Sequence, residues 1–471
     1  MVTVLTRYRI FAVIALLTIY LPGVISTGIW SDDYPSLVEP NAVQEHASRD
    51  GRPLYGFALQ FMFDSANTLN NLWYIRFFAL IGLLLLNDLV IKILNHSRSD
   101  LRVVVASIGA FSIASFQVNV HWATAFLFCW VAYIALLGYT LLVKQSKKKK
   151  LIGVLFLTLS SLSYPLLTFF ILPIVFLVSY EIEGKVENLK KNAIIAFFGI
   201  TLSALLALLI NLTSLKIRGL SFNDRVSFIS IAELPDQIIW FLSRPFILAF
   251  RGYSIDSPGI IEALGYFLIV NLLIIVGILV KFNRFSKVLI MYLLLIFFTL
   301  LSMAPLFFPD QQQVDVRYVT VGAWLISYML ISGAFLVLEK FSVGRHKINR
   351  NLVTVVFLIL FFSSINTRYF SVIQPIYNKT SAFISSEIST CNEQQILSGV
   401  HVLPRESDWP SNEYIGLFSQ ITDLASYWVP LNAVEVEIRK NPRLNGASVS
   451  WTNDVTSGCL VDLNRFEASR Q

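Results

Sequence analysis

Two adjacent carboxylates, Asp32 and Asp33, directly follow the first apolar run of the chain, in the segment Ser31-Asp32-Asp33-Tyr34-Pro35. Ionisable groups at a membrane surface are costly unless they are paired, solvated or used in chemistry. A carboxylate can act as a general base. An equally open interpretation is that the two acids cap a short interfacial helix whose first turn contains Pro35.

The elements that position these acids are predicted from composition. Charged residues make up 14% of the 471 residues and apolar residues 55%, whereas soluble domains have about 25% charged residues. The chain is therefore predicted to be a membrane protein, and the composition excludes a soluble enzyme and a disordered chain. It also argues against a nucleic-acid binder, because the net charge of +7 is explained by membrane topology.

Runs of apolar residues long enough to cross a bilayer recur through the first 371 positions. We predict eleven spans, at 9–28, 72–94, 103–119, 122–143, 151–162, 165–181, 192–213, 259–280, 288–308, 318–338 and 351–371. The 151–181 stretch is read as a short hairpin that turns at Ser163-Tyr164-Pro165, because lysines flank it on both sides. The alternative is one long tilted helix.

The basic residues predict the orientation. Twenty of the 37 Lys and Arg residues fall in six short segments, which the positive-inside rule assigns to the cytoplasm. An odd number of spans then puts residues 372–471 outside the cell. The exterior loops predicted to contribute to function are 29–71, 214–258 and 309–317, and the mixed apolar and charged sequence of 214–258 suits interfacial helices that roof a groove.

Residues 372–471 form a predicted soluble domain with 7 basic and 11 acidic residues. Helix-like stretches at 373–388 and 411–428 alternate with strand-like stretches at 395–397, 434–438 and 459–462, which predicts a compact α/β unit. Cys391 and Cys459 are the only cysteines in this domain. Because its predicted compartment is oxidising, we expect them to form a disulfide, and we expect Cys129 to stay a free buried thiol.

The Asp32-Asp33 pair, followed about twenty residues later by Gly51-Arg52-Pro53-Leu54, resembles the bacterial and phage serotype-converting O-antigen glucosyltransferases of the glycosyltransferase C superfamily. The resemblance extends over the many-spanning body, the acidic first exterior loop and the exterior C-terminal segment. The family often has an Arg shortly after the acidic pair, where this chain has Tyr34-Pro35-Ser36-Leu37. The fold that the resemblance implies is an all-α polytopic membrane domain of the glycosyltransferase C type.

The resemblance implies transfer of a sugar, in the family glucose, from a polyprenyl-phosphate carrier to O-antigen or another surface glycan outside the cytoplasmic membrane. A phosphodiester leaves as a stable anion, so one carboxylate acting as base on the acceptor hydroxyl suffices. Asp32 and Asp33 are therefore the predicted catalytic residues, with Asp33 slightly favoured as the base. Arginines suit the carrier phosphate, and the predicted substrate-binding set is Arg49, Arg52, Tyr164, Arg244, Arg251, Arg317 and Tyr318.

Three further signals favour structural roles. Asp88, inside the second span, is expected to pair with Lys92 one helical turn later. His121 stands beside Gln117 and Asn119 without a second ligand at metal-binding spacing, which indicates a packing or hydrogen-bonding residue. Asp315 and Arg317, next to the interfacial Tyr318, are read as a structural ion pair ahead of a phosphate site.

No cofactor is predicted. Adjacent acids could hold a divalent metal with one more oxygen ligand, but spacing completes no such site. The expected partners are the lipid-linked donor, the glycan acceptor and membrane lipid, with no nucleic acid. The alternatives are a transporter or flippase for a lipid-linked saccharide, which would place ionisable groups along mid-membrane helices, and a glycan polymerase or ligase, which the sequence separates only weakly.

Overall fold

The architecture was taken from a computed structural model of the chain. The structure describes residues 2–26, 33–66, 68–95, 100–144, 146–183, 186–223, 229–251, 260–307, 318–341, 350–403, 429–444, 447–451 and 458–462. Asp32, Arg317, the loop 309–317 and the stretch 411–428 lie outside these residues.

Helices dominate the fold, and three short strands lie near the C-terminus. The helices are α1 (Val2–Val24), α2 (Asp33–Val38), α3 (Pro40–Arg49), α4 (Pro53–Ala66), α5 (Leu72–Leu94), α6 (Leu101–Ala110), α7 (Ala114–His121), α8 (Phe128–Leu142), α9 (Lys147–Ser163), α10 (Pro165–Thr168), α11 (Ile171–Val178), α12 (Val186–Arg218), α13 (Leu234–Phe241), α14 (Ile247–Ala249), α15 (Ile260–Phe282), α16 (Phe285–Ser302), α17 (Thr320–Phe341), α18 (Arg350–Arg368), α19 (Gln374–Ser389), α20 (Glu393–Ser398) and α21 (Val429–Arg439). The strands are β1 (Val400–Leu403), β2 (Val449–Trp451) and β3 (Cys459–Asp462).

Among the described residues, eight helical segments are long and apolar enough to cross a membrane: α1, α5, α8 with the turn before it, α12, and α15 to α18. A ninth candidate is the pair α6 and α7, which is bent by 66° and replaces the single predicted span 103–119. The Ser112 hydroxyl bonds the Ile108 carbonyl at 2.8 Å near the bend, a local bond that competes with regular helix geometry. The chain is thus a polytopic helical membrane protein.

The 151–181 stretch consists of separate helical segments rather than one long helix. Helix α9 ends at Ser163, Tyr164 is extended, and Pro165 begins α10. Proline lacks a backbone N–H and disfavours helical geometry in the residue before it, so the break falls where the sequence predicts it. Tyr164 lies near Arg52, whereas Glu181 contacts Lys281. The segment 165–181 therefore leads from the Arg52 end of the helices back to the Lys281 end.

Glycines allow two pairs of long helices to approach closely. A Cβ atom on Gly277 of α15 would lie 2.3 Å from the Cα atom of Gly333 in α17. Likewise, a Cβ atom on Gly153 of α9 would lie 2.7 Å from the carbonyl oxygen of Gly138 in α8. Small residues are typical of such contacts between membrane helices, because packing rather than water exclusion holds the helices together.

Ion pairs join the helices at the Lys281 end. Both guanidinium nitrogens Nη1 and Nη2 of Arg102 donate to Glu181, at 2.8 and 2.6 Å. Lys281 Nζ donates to Glu181 Oε2 at 2.6 Å, and the Tyr328 hydroxyl donates to Oε1 at 3.2 Å. The buried Glu181 carboxylate thus ties α6, α15 and α17 together, and each charge has an opposite partner, as burial requires.

Asp88 of α5 pairs with Arg9 of α1, so the predicted pairing with Lys92 is wrong. Arg9 donates from Nε to Oδ1 at 2.5 Å and from Nη2 to Oδ2 at 2.6 Å. The planar guanidinium binds the two carboxylate oxygens through two separate nitrogens, a geometry that the single nitrogen of a lysine ammonium does not offer. The sequence spacing of Asp88 and Lys92 gives no information about the neighbouring helix that provides this arginine.

The C-terminal segment contains a parallel three-stranded sheet in the order β2-β1-β3, with Val400 opposite both Val449 and Cys459. The helix expected at 373–388 is present as α19, and the strand expected at 459–462 is β3. The strands expected at 395–397 and 434–438 are wrong, because these residues lie in α20 and α21. The 434–438 sequence alternates as a strand would, but its apolar residues pack inward from a helix.

A disulfide joins Cys391, which follows α19, to Cys459 in β3. The two cysteines are 68 positions apart in the sequence. Cys129 in α8 is a buried free thiol. Helix α21 of this C-terminal domain packs against α2, so the domain lies at the same end of the membrane helices as Asp33.

Candidate functional site

Asp33 is fully buried at the start of α2. Its Oδ1 atom accepts a hydrogen bond from the Thr124 backbone N–H at 2.9 Å. Its Oδ2 atom lies 3.8 Å from Nη2 of Arg76, whose side chain is also buried. A buried carboxylate that has a cation and a backbone donor is electrostatically stabilised. The second acid of the pair thus fixes the acidic segment to α5 and to the turn before α8.

Arg76 continues this contact into a polar layer between the membrane helices. Its Nη1 atom donates to the Ser26 carbonyl at 2.9 Å, and the Ser26 hydroxyl bonds the Tyr369 hydroxyl. Tyr369 packs edge-on against His121, with ring centroids 5.0 Å apart. This network holds the end of α1 against α5 and α7, immediately before the acidic pair in the sequence.

His121 has the packing role that its isolation in the sequence predicts. The ring is buried, and Nε2 lies 3.2 Å from the Tyr20 carbonyl. A Cβ atom on Gly23 would lie 2.5 Å from the ring, so only glycine fits at position 23 without displacing it. Nearby, the fully buried Arg368 donates to Gln117 at 3.3 Å and to Ser364 at 3.1 Å.

Arg52 is surrounded by tyrosines at the same end of the helices. Its guanidinium carbon lies 5.7 Å from the Tyr55 ring centroid and 5.4 Å from that of Tyr164. Tyr318 is close enough to act electrostatically on the guanidinium. The side chain keeps 27% of its surface exposed. Three members of the predicted substrate-binding set, Arg52, Tyr164 and Tyr318, therefore lie together, and we call them with Tyr55 the Arg52 cluster.

One peptide unit connects Asp33 with the Arg52 cluster. The Thr124 N–H donates to Asp33, while the Thr124 carbonyl accepts from the Tyr55 hydroxyl at 2.6 Å. Tyr55 in turn contacts Arg52 through its ring. The acidic segment and the cation are thus held at a fixed relative position by a residue from a third part of the chain.

Asp50 forms an ion pair with the Arg52 guanidinium. Arg52 Nη2 donates to Asp50 Oδ2 at 2.5 Å, and the Asn223 amide donates to Oδ1 at 2.6 Å. Burial alone raises the pKa of Asp50, but the charge of Arg52, the Asn223 hydrogen bond and His46 outweigh it. Together they lower the pKa of Asp50 below its ordinary value of 3.8. The carboxylate is therefore ionised at neutral pH and pairs with Arg52.

The remaining predicted residues lie on other elements or outside the described structure. Arg49 pairs with Glu45 at 2.8 Å on the surface of α3. Arg244 is exposed after α13, and Arg251 is half-buried after α14. Asp32 and Arg317 lie outside the described residues.

Sequence reasoning missed three residues that build the site: Arg76, Tyr55 and Thr124. An arginine inside an apolar span is a signal by itself, since such residues are rare and expensive in a membrane, so Arg76 could have been found. Tyr55 directly follows the Gly-Arg-Pro-Leu segment. Nothing marks Thr124, because it acts through its backbone.

Among the described residues, no group of three or more His, Cys, Asp or Glu side chains is arranged to hold a metal ion. The site as described offers the arginines Arg52 and Arg76, tyrosine rings and hydroxyls, and the carboxylates of Asp33 and Asp50. These groups suit the binding of an anion and of hydroxyl-bearing ligands.

No protein-family model matches the chain, and no curated protein matches it.

Proposed function

We propose that this protein is a membrane glycosyltransferase that moves a sugar, glucose in the first instance, from a polyprenyl-phosphate carrier to a surface glycan such as O-antigen. In this proposal the chain has the glycosyltransferase C fold and crosses the bacterial cytoplasmic membrane eleven times. The acidic pair, the Arg52 cluster and the C-terminal domain face the exterior.

The contact chain from Asp33 through Thr124 and Tyr55 to Arg52 is the observation that carries the proposal. A transferase that uses a lipid-linked donor needs a base and a phosphate-binding cation close together at the end of the membrane helices. The carrier remains in the bilayer, whereas the acceptor is in water. A rigid connection between the acidic segment and Arg52 meets that requirement.

Arg52 is the proposed phosphate-binding residue. Its guanidinium is partly exposed and has a planar fork that fits two phosphate oxygens. The faces of Tyr55 and Tyr164 keep the fork in place through cation–π contact. Asp50 and Asn223 fix the turn that carries it. Tyr318 and Tyr164 offer hydroxyls beside the guanidinium for a sugar or phosphate oxygen.

The two acids take different roles in the mechanism. Asp33 is engaged by Arg76 and Thr124, so we assign it to positioning rather than to proton abstraction. This assignment departs from the slight preference for Asp33 as base that position in the sequence suggests. Asp32 is then the proposed general base, by its place directly before the anchored residue.

The reaction proceeds by inversion at the anomeric carbon. The acceptor hydroxyl oxygen forms a bond to that carbon while its proton passes to the Asp32 carboxylate. The bond between the anomeric carbon and the phosphate oxygen breaks, and its electron pair leaves with the lipid phosphate. Arg52 stabilises the charge that develops on the phosphate, as is usual for cations placed at a departing oxyanion.

The test compares surface glycans of cells with and without the gene, followed by transfer assays on purified protein in lipid nanodiscs. Loss of one branch sugar, with transfer from synthetic polyprenyl-phosphate glucose that requires Arg52, is the expected result. Loss of chain length would instead indicate a polymerase or ligase, and loss of all glycan export would indicate a flippase. Either outcome would overturn the proposal.

A further inference from the structure

Helix α2, which begins with Asp33, lies between two parts of the protein. On one side, Asp33 is fixed to the membrane domain by Arg76 and Thr124. On the other side, α2 packs against α21 of the C-terminal domain. Tyr34 and Leu37 of α2 are both buried. The six residues after Asp32 are therefore enclosed by the C-terminal domain as well as by membrane helices.

Polar contacts cross the boundary between α2 and the C-terminal domain. Arg439 Nη1 lies 3.5 Å from the Leu37 carbonyl oxygen, and its Nη2 atom binds Glu435 at 2.5 Å. Tyr377 of α19 and Glu437 of α21 act electrostatically on Tyr34. Burial first, and then these two groups and Asp33, raise the pKa of Tyr34 above its ordinary value. Residues from α19 and α21 thus surround the helix that follows the acidic pair.

Side-chain contacts also fix α21 within the C-terminal domain. Glu437 binds Lys440 at 2.6 and 2.7 Å and accepts from Ser385 of α19 at 3.0 Å. Lys440 also donates to Ser381 of α19 at 3.0 Å. The Cys391–Cys459 disulfide then anchors the end of α19 to the sheet. A continuous set of contacts consequently runs from the disulfide through α19 and α21 to α2.

We propose that the C-terminal domain positions the acidic segment: α21, through Arg439, holds α2 in the orientation in which Asp33 meets Arg76 and Thr124. The domain is then part of the machinery of the site rather than a separate module. The effect on catalysis rests on the proposed transferase function, but the effect on α2 does not. Arg439 is a positioning residue, since it acts through α2.

The experiment uses the full-length protein in nanodiscs and measures hydrogen exchange of the α2 amides within residues 34–38, which are those of Tyr34, Ser36, Leu37 and Val38 because Pro35 has none. In R439Q we expect exchange at least about tenfold faster than in wild type, the effect of losing one contact with a charged group. R443Q is the matched control, because Arg443 is an exposed arginine of the same domain, and it should exchange at the wild-type rate. R439K should restore part of the protection.

A second variant avoids dependence on one side chain. Replacing both Cys391 and Cys459 by serine loosens the domain far from α2 and should raise exchange in residues 34–38 in the same way. Unchanged protection of α2 in R439Q, or in the serine variant with its C-terminal domain shown to be loosened, would overturn the inference.

Transfer kinetics complete the test and separate the two proposals. In R439Q, kcat should fall by about 10- to 100-fold, the usual result of misplacing a reacting group by an ångström, while KM for the lipid-linked donor stays unchanged. A wild-type protein without transferase activity would refute the proposed function, whereas the exchange data would still decide whether the C-terminal domain holds α2. Faster exchange with unaltered kcat would overturn the catalytic half of the inference.

Discussion

Asp33 and Arg76 face each other inside the protein, with Oδ2 and Nη2 3.8 Å apart and both side chains almost inaccessible to solvent. They lie 43 positions apart in the numbering, in α2 and α5, and their pairing brings the acidic segment onto the membrane helices. A buried ion pair of this kind contributes little when replaced as a unit, but removing one member leaves an uncompensated charge. This asymmetry makes the roles of the two acids separable by mutation.

The first prediction concerns those roles. D33N should lower the stability of the protein by about 3 to 5 kcal/mol, because Arg76 then remains as a buried charge without its carboxylate. D32N should leave stability unchanged but reduce transfer by about two to four orders of magnitude, the usual effect of removing a general base. Thermal unfolding in detergent and transfer assays measure the two effects.

The double variant D33N/R76Q is the control for the ion pair. It should be more stable than D33N alone, because both charges are gone. Equal stability of D33N and wild type would show that the Asp33–Arg76 contact has no structural importance. If D32N and D33N both transfer sugar at the wild-type rate, the acidic pair is structural and the mechanism is wrong.

The second prediction concerns Arg52. R52K keeps the charge but loses the planar fork, so KM for the lipid-linked donor should rise by about tenfold or more. R244Q is the matched control, because Arg244 is an exposed arginine after α13 to which the proposed mechanism gives no role, and its loss should change KM little. Donor titration of both variants checks this. If KM for the lipid-linked donor rises in R244Q but not in R52K, Arg52 does not bind the phosphate.

The third prediction is the pH dependence of the turn that carries Arg52. The folded-state pKa of Asp50 is lowered, so its contribution to stability is present above the unfolded-state pKa of about 3.9 and is lost as pH falls through the folded-state value. Wild type should therefore unfold at a higher temperature than D50N at pH 6 to 8. The difference should shrink below about pH 4. A difference that grows on acidification would contradict the assignment.

Sequence patterns predicted the long apolar helices, eight of which are present among the described residues or nine with the bent pair, whereas the count of eleven spans stays a prediction. A span must be long and apolar wherever it lies in the protein, so α5 at Leu72–Leu94 has the bounds that its composition indicates. The break at Pro165 is equally local, because proline disrupts the helix around itself. The bend between α6 and α7 was not predicted, since no Pro stands there and a serine side-chain bond accompanies the bend.

The sequence likewise predicted only those parts of the site that have a local sequence signal. Arg52 stands out by sequence because few cations lie next to a Gly-Pro turn at a membrane surface. Its neighbour Tyr164 is 112 positions away in the numbering, and only helix packing brings the two within cation–π distance. The burial of Asp33 likewise depends on a backbone N–H of Thr124, and a backbone donor leaves no mark in a sequence.

The fourth prediction is that the Cys391–Cys459 disulfide forms in the cell and stabilises the C-terminal domain. Closing a long loop of this kind contributes about 4 kcal/mol in the chain-entropy account. Thiol labelling of the denatured, unreduced protein should detect one reactive cysteine, Cys129, and three after reduction. Three reactive thiols without reduction would show that the bridge is absent and would argue against an oxidising compartment for this domain.

The last prediction is the orientation of the chain. Helix α21 packs on α2, so the acidic segment and the C-terminal domain must lie on one side of the membrane. The basic segments near Lys150 and Lys191 are expected on the other side, in the cytoplasm.

Reporter fusions after Lys150, Lys191 and Gln471 measure this directly. The first two should report a cytoplasmic location and the third an exterior location. Signals on opposite sides at Lys150 and Lys191 would mean that α9 and the segment 165–181 do not cross as a pair, and exterior signals at both would invert the predicted orientation. A cytoplasmic signal at Gln471 would place the acidic pair with it in the cytoplasm. Because the lipid-linked donor and surface glycan of the proposed reaction are exterior, that single result would refute the exterior transferase.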